Sequence, residues 1–237
     1  MNPTLIATFW RQRLASPVRL VILLFMVSTP LLMVTAMPQM GVSALGEAIP
    51  IGMLFAVGMI GQDAASGVLQ LVFARPVRRW EYVTSRWLAV ALAGSAVVVV
   101  QAGGAWGVLA LRGHSPDAHA MLAFVAARML QMFGVAAVMA LLSSLVAGVA
   151  DLAVYILLNV VAGLGSLAAQ AKGWAALARA ADLLRTALAP AVEFDHVAAG
   201  GPAAWLTIVA YLSTIALCLA LAAEVMNRRQ LSYATAG

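Results

Sequence analysis

From Val18 to Met37 the chain carries a single charged side chain, Arg19. Comparable apolar stretches recur along the sequence. About 20 apolar residues are enough for a helix to cross the hydrocarbon core of a bilayer. Such a helix satisfies its own backbone groups in lipid, which an open strand cannot do. The recurrence predicts an all-α, polytopic membrane protein. Composition agrees: 64% of the residues are hydrophobic and 10% charged, against roughly 25% charged in a soluble domain. So few charges do not cover a water-facing exterior. The 237 residues accommodate about six spans in a single domain, 1–237. The net charge of +5 sits on arginines beside apolar runs, a pattern of membrane orientation and not of nucleic-acid binding. The lone Cys218 excludes an intrachain disulfide.

Residues 1–17 read as a helix lying in the headgroup plane. Leu5, Ile6, Phe9, Trp10 and Leu14 form its apolar face, opposite Thr8, Arg11 and Gln12. Arginines interrupt this stretch, unlike a cleaved leader, and Pro17 turns the chain into the bilayer. Spans are expected at about Val18–Met37, Ala44–Ile60, Trp87–Leu111, His119–Leu145, Leu152–Ala169 and Ala203–Ala223. The connection at 170–202 holds a second amphipathic stretch. There Trp174, Leu177, Ala181, Leu184 and Leu188 repeat at steps of three and four, which predicts a helix at the outer surface ending near Pro190.

An even number of spans places Arg11, Arg13, Arg19, Arg75, Arg78, Arg79, Arg86, Arg228 and Arg229 on one side. Arg112, Lys172, Arg179 and Arg185 fall on the other. The excess marks the first side as cytoplasmic, with both termini there, in a multi-pass protein of the cell (inner) membrane.

The chemistry is mostly one of exclusion. A phosphate-binding loop needs Gly-Lys before Ser or Thr, and the only lysine, Lys172, follows Ala171. There is no His-Glu-x-x-His and no Gly-x-Ser-x-Gly. An intramembrane enzyme would need paired catalytic residues that are missing, so the chain is expected to be no enzyme and to hold no cofactor. Polar side chains within spans usually face the bundle interior or a watery path. Gln101, Arg128, Gln131 and Asn159 are the pathway candidates, with Asp151 at a turn. Arg128 and Gln131 share a helical face, and snorkelling of Arg128 to the headgroups is the plainer alternative. His114, Asp117 and His119, with Glu193, Asp195, His196, Met37 and Met40, fall on the outer side. Their spacing is diagnostic of no metal, and none is assigned.

The informative segment is 61–86. It contains Asp63, then Gly67-Val68-Leu69, the apolar Leu71, Val72 and Phe73, and Arg75-Pro76-Val77-Arg78-Arg79, and it closes on Arg86. It resembles the first cytoplasmic loop of type-2 permeases of ATP-binding-cassette (ABC) transporters. Those loops carry an acidic residue, a Gly-Thr-Leu-like step, Pro-x-x-Arg and a basic residue before the third span. Here Val68 stands for the usual threonine, Asp63 for glutamate and Arg86 for lysine. The likeness extends to the amphipathic N-terminus, the six-span plan and the tail Asn227 to Leu231. It implies an exporter-class permease subunit that dimerises with itself or a similar chain. A separate ATPase subunit would supply ATP and Mg. Asp63, Gly67, Leu71, Phe73, Arg75, Pro76 and Arg79 are the implied docking residues. Without the resemblance, the segment reads as a loop anchored on the membrane by arginines. A membrane scaffold that passes ATPase motion to an outer partner is the alternative function.

Overall fold

The computed structural model describes residues 3–74, 77–114, 117–192, 197, 200 and 202–234. Among them the fold is all-α, without strands. Helix α1 covers Pro3–Leu14, α2 Pro17–Ala36, α3 Ile49–Ala56, α4 Gly61–Ala65 and α5 Val68–Phe73. A 3-10 segment, Pro38–Leu45, joins α2 to α3. Then come α6 (Arg79–Leu111), α7 (Ala118–Leu145), α8 (Ala150–Lys172), α9 (Ala175–Leu188) and α10 (Pro202–Ala234).

Five helices, α2, α6, α7, α8 and most of α10, are long and apolar enough to cross a membrane. Half of the most apolar window is buried in α6 and in α7, against 6% in α2. Helices α6 and α7 are therefore the spine, and α2, α8 and α10 leave most of their apolar surface outside the bundle. Trp87 on α6 lays its ring edge on Phe133 of α7, centroids 5.6 Å apart, and donates its Nε1 to the Phe133 carbonyl at 2.9 Å. Tyr211 ties α10 to α7 by donating to the Leu130 carbonyl at 2.6 Å.

Helix α2 carries Pro30, which has no amide hydrogen to give to the Met26 carbonyl one turn back. Gln101 of α6 supplies the missing donor, with its Nε2 2.9 Å from that oxygen. The substitution is needed because lipid offers no replacement.

Three sequence expectations change in the structure. The segment read as one short span, Ala44–Ile60, is a broken helix: α3 ends at Ala56, Gly58 takes φ 64°, and α4 starts at Gly61. Helix α6 begins at Arg79, eight residues before the expected Trp87, because Tyr82 to Arg86 are buried in protein. The helix at 175–188 exists, and its apolar face packs on protein. It doubles back along α8: Ala181 lies 3.6 Å from where a Cβ on Gly165 would stand. Tyr155, near the start of α8, donates to the Leu188 carbonyl at 3.2 Å. Pro190 then touches the middle of α7, where a Cβ on Gly134 would fall 2.3 Å from its carbonyl oxygen.

Candidate functional site

The break between α3 and α4 exposes backbone groups that a continuous helix would have paired. Neighbouring elements satisfy them one by one. The Gly58 amide donates to Asp151 Oδ2 at 2.7 Å. The Ile60 and Gly61 amides donate to Ser143 Oγ at 3.1 and 2.9 Å. The Val57 carbonyl accepts from Arg13 Nη1 at 2.6 Å, and the Gly61 carbonyl accepts from the Gly148 amide at 2.9 Å. Asp151 and Ser143 are fully buried. Residue 61 has to be glycine, since a Cβ there would meet the Gly148 and Val146 carbonyls at 2.6 and 2.7 Å. The break is thus a built joint, held by α1, the end of α7 and the start of α8.

Directly beyond it lies a buried charge cluster. Asp63 of α4 accepts from Tyr82 Oη at 2.5 Å and forms an ion pair with Arg86 of α6. Two guanidiniums lie over the Phe9 ring of α1, Arg13 at 4.9 Å and Arg86 at 4.8 Å from its centroid. Such stacking favours cations sheltered from water. Burial, and then the positive charges of Arg19 and Arg86, press the Arg13 guanidinium down to about 9, still protonated at neutral pH. The amphipathic reading of α1 assigned Phe9 correctly but left Arg13 without a role. Arg13 is buried beside Phe9, while Leu14 is largely exposed.

The described residues of 61–86 are therefore folded onto the bundle. Gly67, at φ 74°, turns the chain from α4 into α5. Phe73 packs edge-on against Tyr82 at 5.7 Å, and the Arg79 guanidinium lies 5.9 Å from the Phe73 centroid. Arg79 also donates to Asn227 of α10 at 3.0 Å. Of the residues implied for docking, Asp63 is buried, Phe73 and Arg79 are half-buried, and Leu71 is 73% exposed. Arg75 and Pro76 lie outside the described residues. Val68 and Trp80 are exposed nearby and are not among the implied docking residues, though their apolar character on a polar segment is the available signal.

Away from the joint, in the first half of α7, Arg128 and Gln131 meet Glu47, just before α3. Arg128 grips Glu47 through both terminal nitrogens, with Nη2 3.1 Å from Oε1. Gln131 donates to Glu47 Oε2 at 3.1 Å and accepts from Arg128 Nη1 at 2.9 Å. Partial burial works against the Glu47 charge, but the hydrogen bonds from Arg128 and Gln131 and the Arg128 charge prevail and hold its carboxyl below the usual range. These side chains, with Phe124, His119 and Val192, line a groove of about 650 Å³. Gln101, 95% buried and bonded to Met26, borders a small cleft together with Glu47, Phe124 and Arg128, whereas Asn159 stays apart and bonds within α8 to the Tyr155 carbonyl at 2.9 Å. Among the described residues no cluster of three His, Cys, Asp or Glu side chains is placed to hold a metal. Asp117 instead caps α7 through the His119 amide at 3.0 Å; Glu193, Asp195 and His196 lie outside the described residues. No family model, curated protein or solved structure matches the chain.

Proposed function

We propose that this protein is the membrane-spanning permease subunit of an ABC transporter of the type-2, exporter class. It works as a dimer of itself or with a similar chain, and a separate ATPase subunit carries ATP and Mg. Both termini and the lever at 61–86 face the cytoplasm of the cell (inner) membrane, on the side of the arginine excess. The observation that carries the reading is the anchored lever. Its exposed apolar residues, Val68 and Leu71, point away from the bundle. Its roots are tied to α6 through Asp63–Arg86 and to α10 through Arg79–Asn227. A docked partner that pushes on α5 would move the joint between α3 and α4 and, through Arg13, the helix α1. The groove at Glu47, Arg128 and Gln131 is the proposed outer end of the path.

The test is affinity purification of the full-length chain from its own membranes in mild detergent. A nucleotide-binding subunit that co-purifies and hydrolyses ATP supports the proposal. Specific ATP binding by the pure chain, or absence of any such partner under conditions that preserve the dimer, overturns it.

A further inference from the structure

Two cavities meet at the Glu47–Arg128 pair. The groove on one side of it is walled by His119, Ala123, Gln131 and Val192. On the other side lies the small cleft, about 10 Å³, room for about one water. Its inner wall is Leu45, Ala48, Val98 and Gln101, each more than nine-tenths buried. Glu47, Phe124 and Arg128 line both spaces, so these three side chains form the partition. Gln101 also donates to the Met26 carbonyl, so the cleft ends where Pro30 leaves α2 short of a donor.

The partition has a fixed half and a loose half. Arg128 stands on α7, mostly buried, with its guanidinium 5.2 Å from the Phe124 centroid. Glu47 belongs to no helix, and its side chain is more than half exposed. Gly46 before it takes φ 68° and has open space where a Cβ would stand, so the link can turn there without displacing packed atoms. Glu47 is held by Arg128 and Gln131. An ion pair this open to water contributes little, so a small free-energy difference between two states is enough to move it. We propose that Glu47 is a gate. Bonded to Arg128 and Gln131 it shuts the groove off from the cleft; swung away from them it joins the two and admits water and small polar solutes to Val98 and Gln101. The inference rests on the reading of this groove as the outer end of a path, and it names the element that closes it.

Alkylation of the full-length chain in lipid nanodiscs tests it, with iodoacetamide on Val98→Cys in a Cys218→Ser background. The reagent is uncharged and reaches both faces of a nanodisc, so neither topology nor probe charge enters the rate. A buried thiol reacts in proportion to the population of its open form. Glu47→Gln and Arg128→Gln should each speed the reaction about threefold or more. A change of local charge alone would shift thiol ionisation in opposite senses in the two variants, so only opening raises both rates. Glu47→Arg combined with Arg128→Glu rebuilds the pair and should return the rate to that of the parent. Val90→Cys, buried on α6 and outside the cleft lining, should not change, which separates opening from general loosening. Unchanged or opposed rates at Val98→Cys, a charge swap as fast as the single variants, or an equal gain at Val90→Cys overturns the gate. If an ATPase subunit still co-purifies in those cases, the permease reading stands without the gate. The expected rates in a chain that captures no such subunit overturn the permease reading and leave a gated cleft in a protein of another function.

Discussion

Asp151, at the start of α8, accepts the amide hydrogen of Gly58 at the point where α3 breaks, 2.7 Å away and fully buried. The carboxylate thereby holds a helix joint that lies 93 positions earlier in the chain. It also stands close enough to Arg13, the donor to the Val57 carbonyl, to favour that guanidinium's charge. One acid and one base clamp the two sides of the same break.

Removing the acid should loosen the joint. Asp151→Ala leaves the Gly58 amide buried and unpaired, at a cost of about 1–3 kcal/mol. Asp151→Asn keeps an acceptor oxygen and loses less. Thermal unfolding of the full-length protein in nanodiscs should rank wild type above Asp151→Asn above Asp151→Ala. Equal melting of the two variants would mean that the hydrogen bond does not hold the joint. Gly61→Ala should fall at or below Asp151→Ala, because its methyl group meets two backbone carbonyls that have nowhere to move.

The joint also marks where the sequence could and could not be read. The long spans follow from apolar runs, and α2, α7, α8 and the start of α10 fall close to their expected bounds. Tyr82 to Arg86 read as loop because a buried arginine makes sense only once Asp63 is beside it, and that pairing is tertiary. Arg13 was hidden for the same reason. The period of α9 was legible in Leu177, Ala181, Leu184 and Leu188. Its packing along α8 was not, since amphipathic spacing does not say which element the apolar side meets. Arg128 and Gln131 were legible as a shared face, but Glu47 comes from a distant segment, and only folding brings it to them.

The Pro30–Met26–Gln101 arrangement predicts a specific rescue. Gln101→Leu strips the Met26 carbonyl of its only replacement donor and should cost about 1–2 kcal/mol. Pro30→Ala restores an amide hydrogen one turn along α2, so Gln101→Leu should be nearly neutral in that background. A double-mutant cycle read by unfolding isolates the coupling. Additive effects would show that the glutamine does not answer the proline.

The Glu47–Arg128 pair gives a pH signature. A carboxyl held below its ordinary value of 4.5 adds stability above that pH, and the contribution disappears as pH falls through the lower, folded value. Since Glu47 is more than half exposed, the effect should be about 1 kcal/mol or less. At pH 7 Glu47→Gln should melt slightly below wild type, and the gap should close as pH falls past the ordinary carboxyl value and through the lower, folded one. A gap that persists in acid would mean that packing, and not charge, connects Glu47 to α7.

Leu71 and Phe73 should behave differently, and the difference tests the lever. Both are apolar residues of α5, and the sequence marks both for docking. In the fold, Phe73 turns inward to meet Tyr82 and Arg79, while Leu71 is left 73% exposed. An aromatic pair contributes about 0.5–1.5 kcal/mol beyond simple burial, so Phe73→Ala should lower the melting temperature and weaken any partner only indirectly. Leu71→Asp removes no intramolecular contact of comparable weight and should leave melting unchanged. If α5 docks an ATPase subunit, a charge in the centre of that contact should reduce co-purification about tenfold or more, since well-packed interface residues contribute about 2 kcal/mol or more each. The measurement pairs the yield of the co-purified ATPase with the melting curve of each variant. Loss of both properties in Phe73→Ala and of association alone in Leu71→Asp is the expected pattern. Full association of Leu71→Asp, with transport intact, would leave α5 as a membrane anchor and remove the docking role from this segment.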